Sequence, residues 1–475
     1  MSRKPNNSQE LAINFKDGAC LVLSGPGSGK TFVLINRVLT LITKYKVNPS
    51  SILVITFTKA AATEMEERFN LIASESRLVG NENPNFGTFH SIFFDILREG
   101  FDYKYNSAIK KSDANKLLIY IVNDRMKLNL SKETVNSILK DISLYKLSKE
   151  SGKEFTSRFL NQKTFIKVYN DFNQLMFDER KLGFSDMISM CHKLLLENKE
   201  VLKYYQKKYK YILIDEFQDI NRSQYEIVKL ICKNKNIFVV GDDDQSIYAF
   251  RGSSPGIMKE FLKDYHKAKV INLNTNYRSV DNIVGHSRKV IENNVDRFEK
   301  DLVAHNKDIG KFTIKGFIDS RDENKYIIDC IRKYKKLGIS LSDIAILYRT
   351  NVLPYAIISD LNKVKIPFSI KDKKNLNIDY ATYANSPKIS LMTFHMAKGL
   401  EFKVVFIIDA NDGIVPHKKS IRDCDIETER RLFYVAMTRA KTDLHILFTV
   451  RRFGKNFKAS RFILEAIGGK YEQKR

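Results

Sequence analysis

The stretch SGPGSGKT at 24–31 sets small residues, a lysine and a hydroxyl between an apolar run and a helical pattern. Backbone N–H groups of such a turn close around phosphate oxygens, and the helix start adds the positive end of its dipole. Ser24, Gly25, Pro26, Gly27, Ser28, Gly29, Lys30 and Thr31 are the expected cradle. Lys30 is placed to reach the terminal phosphates and Thr31 to meet Mg²⁺. Ser24 stands where the common pattern has glycine, so the pattern is met in full only at its GKT end. A second apolar run, YILI at 211–214, ends in Asp215-Glu216. Asp215 at a strand end suits Mg²⁺, directly or through water. Glu216 suits the base that orients an attacking water. The two motifs together predict ATP hydrolysis with Mg²⁺ as cofactor.

These groups need strands to hold them. Apolar runs recur at 19–23, 51–57, 211–215, 237–242, 270–273, 312–318, 344–348, 389–394, 404–409 and 444–448. Several are β-branched throughout, as strands buried on both faces require. Helical patterns lie between them: Leu34, Val38, Leu41 and Ile42 share one face, and Ala61, Met65, Phe69 and Ile72 another. Alternating strand and helix predicts an α/β fold with two parallel sheets. The stretch 92–209 keeps helical periodicity with almost no strand signal, and is expected to be a helical insertion. The expected layout is a first domain over 1–274, with its core at 1–91 and 210–274, and a second over 275–475.

Composition narrows the partners. Lys and Arg number 80 against 55 Asp and Glu, a formal net charge of +25. Such an excess favours a polyanion, because each phosphate neutralised releases condensed counterions. Five cysteines at 20, 191, 232, 330 and 424 form no CxxC pair, which argues against a zinc or iron–sulfur site. The first residues carry no apolar signal region and no run is long enough to cross a bilayer. A soluble intracellular protein without a membrane partner is expected, from a prokaryote or a viral or mobile element.

Further motifs follow in order: Asn7-Ser8-Gln9, TFTKAAATEM (56–65), GTFHS (87–91), DEFQD (215–219), GDDDQSIYAFRG (241–252), NYRS (276–279), MTFHMAKGLEF (392–402) and ETERRLFYVAMTRA (427–440). In this order they resemble the superfamily 1 DNA helicases of the UvrD/Rep/PcrA group, whose fold is two RecA-like domains. The resemblance implies roles. Gln9 reads adenine, Tyr277 stacks on it, and Glu401 meets the ribose. Gln245 senses the γ-phosphate, and Arg278 and Arg439 reach it from the second domain. An arginine fork pairs with phosphate in a bidentate way that lysine cannot copy. Phe57, Thr58, His90, Tyr248, Phe250, Arg251, Thr393 and His395 fall at positions that grip single-stranded DNA in the family. Aromatic stacking there tolerates any base.

The resemblance implies an ATP-dependent helicase or translocase moving 3′ to 5′ on single strands and at strand–duplex junctions. The alternative is a strand-stimulated ATPase subunit of a larger replication, repair or phage-defence complex. Phe32 replaces the family's usual arginine against adenine, and Phe250 its common tryptophan. Only about twenty residues separate Phe368 from Ile389, where full-length relatives insert the helical 2B subdomain, so that element is expected to be missing. A second copy or a partner protein is then expected to assist unwinding.

Overall fold

The computed structural model describes residues 4–75, 83–101, 104, 107–151, 154–248, 253, 256–351, 354–370, 386–452 and 454–469. All ten apolar runs are strands. The first sheet contains β1 (Ala19–Ser24), β2 (Ile52–Thr56), β3 (Asn85–Thr88), β4 (Tyr211–Ile214), β5 (Ile237–Gly241) and β6 (Lys269–Leu273), in the order β3-β2-β4-β5-β1-β6. Every pairing is parallel. β1, β2, β4 and β5 are buried along their whole length, which is why they read as unbroken Val/Ile/Leu runs. Because the strands are parallel, their carboxyl ends share one edge. That edge collects Ser24, Phe57, His90, Asp215 and Asp242, the starts of the motif loops.

After β7 (Thr275–Val280) and β8 (Val303–Asn306) comes the second sheet. It contains β9 (Lys311–Phe317), β10 (Ile344–Tyr348), β11 (Phe368–Ile370), β12 (Ile389–Thr393), β13 (Phe402–Ile407) and β14 (Ala440–Thr449). Its order is β11-β12-β10-β13-β14-β9, again parallel throughout. β3, β7, β8 and β11 were not among the apolar runs. β3 and β11 are short edge strands, and among the described residues β7 and β8 pair only with each other, so burial imposes little pattern on them.

Within 92–209 the described elements are helical. Helices Phe89–Phe101, Phe184–Glu197 and Lys199–Lys208 share a core with the first sheet through Phe93, Leu97, Cys191 and Tyr205. Residues from Ala114 to Met176 close a separate core around Leu118, Ile138, Phe165 and Phe172. The two-stranded link Ile109 N to Leu182 O (3.0 Å) and Leu182 N to Ser107 O (2.8 Å) joins the two. The expected short connection after Phe368 involves 371–385, which lies outside the described residues. Its flanks are neighbours, since Phe368 pairs with Ile389. Among the described residues no helix is long and apolar enough to cross a membrane.

Candidate active site

β1 runs into the phosphate loop and the helix Lys30–Thr43. Gly27 (φ 68°) and Gly29 (φ 85°) adopt left-handed backbone that a side chain would strain. Gly29 caps the helix without any side-chain hydrogen bond, and no acidic residue follows in the first turn. Its N–H groups are thus left for an anion. Ser24 Oγ holds the loop from behind by donating to Gly241 O (2.9 Å).

At the end of β4, Asp215 and Glu216 turn into a 3₁₀ segment. Glu216 is left-handed (φ 51°), a conformation that costs roughly 1–2 kcal/mol outside glycine. Burial and the charge of Glu216 push Asp215 up to about 7. Burial would also raise Glu216, but Lys30 and Lys398 outweigh it and hold that carboxyl down at about 2. Gln218 Nε2 donates to Glu216 Oε2 (2.5 Å), while its Oε1 accepts from Asp242 N (2.9 Å). The side chain therefore ties the loop after β4 to the loop after β5. Asp215 Oδ1 is buried and accepts no hydrogen bond from the described residues. With Thr31 lining the same cleft, that oxygen fits a hard cation, which prefers oxygen donors.

The second sheet faces this edge across a cleft of about 850 Å³. Glu401 immediately precedes β13 and Arg439 immediately precedes β14, so the amino ends of those strands line it. Arg278 Nε donates to Glu401 Oε2 (2.7 Å), and Lys441 pairs with Glu401 Oε1 (2.6 Å). Arg439 is 1% exposed. Its guanidinium donates to Val435 O (2.8 Å), Leu400 O (3.1 Å) and Gln245 Oε1 (3.3 Å). Burial, then the like charge of Arg278, push Arg439 down to about 9. An anion between the two arginines would relieve that repulsion. The halves also touch directly: Asn276 Nδ2 donates to Pro26 O (2.8 Å) and Tyr277 N to Gly27 O (2.9 Å).

Most expected residues meet here. Pro26 to Thr31, Asp215, Glu216, Gln245, Tyr277, Arg278, Glu401 and Arg439 line one cleft, with Phe32, Phe57, Thr58 and Tyr248. Gln9 does not line it. Its Nε2 donates to Ser28 O (2.8 Å) and its Oε1 accepts from Asn6 N (3.1 Å), so it braces the phosphate loop. Tyr277 lies 4.8 Å from the His305 ring and accepts from Asn6 Nδ2 (2.7 Å). Phe57 and Tyr248 stack on each other, with centroids 5.3 Å apart. Thr393 ends β12 and His395 lies in the turn after it. His90 sits apart from the cleft, edge-on to Phe184 at 5.0 Å. Phe250 and Arg251 lie outside the described residues.

Sequence reasoning missed Lys398, Gln218, Asp219 and Phe184. Lys398, Gln218 and Asp219 lie inside quoted motifs, but only contact reveals their partners. Phe184 is 65% exposed beside His90, and its one signal in the sequence is an aromatic following the Gly183 helix cap.

Two parallel sheets that share a cleft, one giving the phosphate loop and the other Arg439, define the class of P-loop proteins with two RecA-like domains. The family model described as UvrD/REP helicase N-terminal domain matches residues 5–266, and that of the UvrD-like helicase C-terminal domain matches 271–378 and 374–451. The chain belongs to the UvrD/Rep helicase family. It is 28% identical to the putative ATP-dependent DNA helicase YjcD of Bacillus subtilis, covering 96% of this chain and 80% of that one. It is 34% identical to the ATP-dependent DNA helicase Rep of Buchnera aphidicola, over 78% of this chain and 58% of the relative. With PcrA of Staphylococcus epidermidis the identity is 33%, over 77% of this chain and 50% of the relative. The chain thus spans little more than half the length of the Rep and PcrA relatives.

Proposed function

We propose that this chain is an ATP-driven motor that steps along single-stranded DNA, 3′ to 5′, and opens duplex ahead of it. The observation that carries the reading is the composite cleft. Lys30, Asp215 and Glu216 come from the carboxyl edge of the first sheet, Arg439 from the amino end of β14 in the second, and Arg278 from β7, which follows the first sheet. Hydrolysis completed across a domain boundary makes closure and chemistry one event.

The division of labour follows from the contacts. The uncapped helix start and Lys30 bind the phosphates. Thr31 and Asp215 would hold Mg²⁺, which when bound neutralises charge on the phosphate oxygens. Glu216, ionised at neutral pH, accepts a hydrogen bond from the attacking water and orients it. Arg278 and Arg439 compensate charge on the transferred phosphoryl group. Gln245 touches Arg439 and begins the loop carrying Tyr248, so it links the phosphate end to the aromatic pair. Tyr277 offers a face to the base. Phe57, Thr58, Tyr248, Phe250, Arg251, His90, Thr393 and His395, with Phe184, are proposed as the strand's track.

We assign 1–274 and 275–475 as the two motor domains and 92–209 as the insertion. The 2B subdomain is proposed to be missing. The alignment with YjcD runs over 615 positions against 475 residues here, which supports segments present in the relative and absent from this chain. The polarity rests on family membership. Strand displacement from 3′-tailed and 5′-tailed duplexes tests it. Displacement of the 3′-tailed substrate alone is expected, and a preference for the 5′ tail would reverse the assignment.

A further inference from the structure

Residues 297–305 cross from the second domain onto the first as a strap. The strap follows helix Asp281–Ile291 and is anchored to helix Ile426–Met437: Arg431 donates to Asp296 O (2.7 Å) and Arg430 to Asn294 Oδ1 (2.6 Å). Its far end meets the loop after β5. Arg297 makes two bonds to Asp244 (3.0 and 2.8 Å), and Phe298 N donates to Asp243 Oδ2 (2.7 Å). Lys300 Nζ sits among three carboxylates, at 2.6 Å from Asp242, 2.5 Å from Asp243 and 2.9 Å from Asp244. Leu302 then covers Gly25, where a Cβ would lie 2.4 Å from its Cδ1.

Three buried aspartates whose oxygens lie within 4.8 Å of one another repel strongly. The ammonium donates to Asp242 and Asp243 and stands beside Asp244, and here it supplies the charge the cluster needs. The consequence reaches the cleft through Asp242. Its Oδ1 accepts from Lys300, and its Oδ2 accepts from Gln245 Nε2 (2.6 Å). That second bond decides which end of the Gln245 amide faces Arg439, leaving Oε1 to accept from the guanidinium (3.3 Å).

We propose that Lys300 is a positioning residue for hydrolysis: its ammonium fixes Asp242, and Asp242 fixes the orientation of the Gln245 amide beside Arg439. The proposal rests on the hydrolysis assigned to this cleft. The strap then reports the second domain's position to the phosphate end through Asp242 and Gln245, a route that meets Arg439 at the Gln245 amide.

The test is steady-state ATP turnover with saturating oligodeoxythymidine for the wild type, Lys300→Met, Gln245→Ala and the double variant. Lys300→Met is expected to lower kcat by about tenfold or more with KM nearly unchanged. In the Gln245→Ala background it should add less than about twofold, since both changes break one chain of contacts. Additive losses would overturn the proposal. Asp243→Asn combined with Lys300→Met restores the charge balance without restoring a donor to Asp242. Thermal melting near the wild type with kcat still low supports the positioning role. Recovery of kcat in that pair, or failure of both variants to fold, makes Lys300 a purely structural knot. A wild type that turns over no ATP would remove the hydrolysis reading, and this proposal with it.

Discussion

Lys398 Nζ stands 3.7 Å from Glu216 Oε2, reaching from the turn after β12 to the carboxylate at the end of β4. The same ammonium is 2.5 Å from Asp219 Oδ2 and 2.8 Å from Gln245 O, and lies 5.1 Å above the Tyr248 ring. With Lys30 it keeps Glu216 ionised. A carboxylate held near 2 is a weak proton acceptor, which supports the proposed role of Glu216 in orienting water. That suffices for a loose phosphoryl transfer, where positioning outweighs covalent help.

Lys398→Met should therefore act twice. Asp219 would be left buried without its cation, a loss of about 3–5 kcal/mol when one partner of such a pair is removed. ATP turnover should also become less responsive to DNA. Adding Asp219→Asn should recover the melting temperature but not the response. Recovery of both would show that Lys398 serves stability alone.

Lys30→Ala and Glu216→Gln separate binding from chemistry. Glu216→Gln should lower kcat by about 10²–10⁴-fold while nucleotide still binds. Lys30→Ala should lose turnover and also weaken nucleotide binding. Fluorescent-nucleotide titration beside a phosphate-release assay checks both. Near-normal turnover in either variant would sink the site assignment.

Turnover should depend on single strands and on salt. Affinity should fall linearly on a log–log salt plot, with a slope of roughly −0.7 per phosphate contact for single strands. Phe57→Ala should weaken strand binding by about 1–3 kcal/mol if a base stacks there. Phe184→Ala should do the same at the His90 end. Equal turnover with and without DNA would count against a motor.

Stepping and unwinding should come apart. The cleft and the proposed track need no 2B subdomain, so streptavidin displacement from a biotinylated strand end should proceed. Unwinding also works against base stacking, about 1.4 kcal/mol per step, without the 2B subdomain that is proposed to be missing. Single-turnover unwinding should be weak when protein is limiting and rise with excess. Efficient unwinding by a demonstrated monomer would show that 92–209 suffices.

A buried acid pair sets a pH dependence away from the cleft. Glu323 is 1% exposed and is pushed up to about 8 by burial and by Asp409, whose Oδ2 accepts from Arg452 (2.7 Å). A carboxyl raised above its unfolded value holds a proton in the fold that the unfolded chain has released. Stability should fall as pH rises from about 4.5 to 8. Glu323→Gln removes that charge. Its melting temperature should gain on the wild type between pH 5 and pH 8, by about 2–4 °C for each kcal/mol regained. A pH-independent difference would mean that Glu323 is ionised throughout.

The phosphate loop, Asp215-Glu216 and both parallel sheets could be read from the chain because their signals are local. A strand buried on both faces must be apolar along its length, and a phosphate turn must carry glycine where φ is positive, as at Gly27 and Gly29. The one-edge gathering of Asp215, Gln245 and Phe57 follows from parallel strands. Other features had no local signal. Gln9 carries no mark that its amide will meet Ser28, and nothing near Lys398 names Glu216, far back in the chain. Lys300 looked like one more lysine in a chain of net charge +25, yet it is buried among three aspartates. The reason is that a buried charge is compensated by whatever the fold brings within a few ångströms, and that depends on how two distant parts of the chain pack.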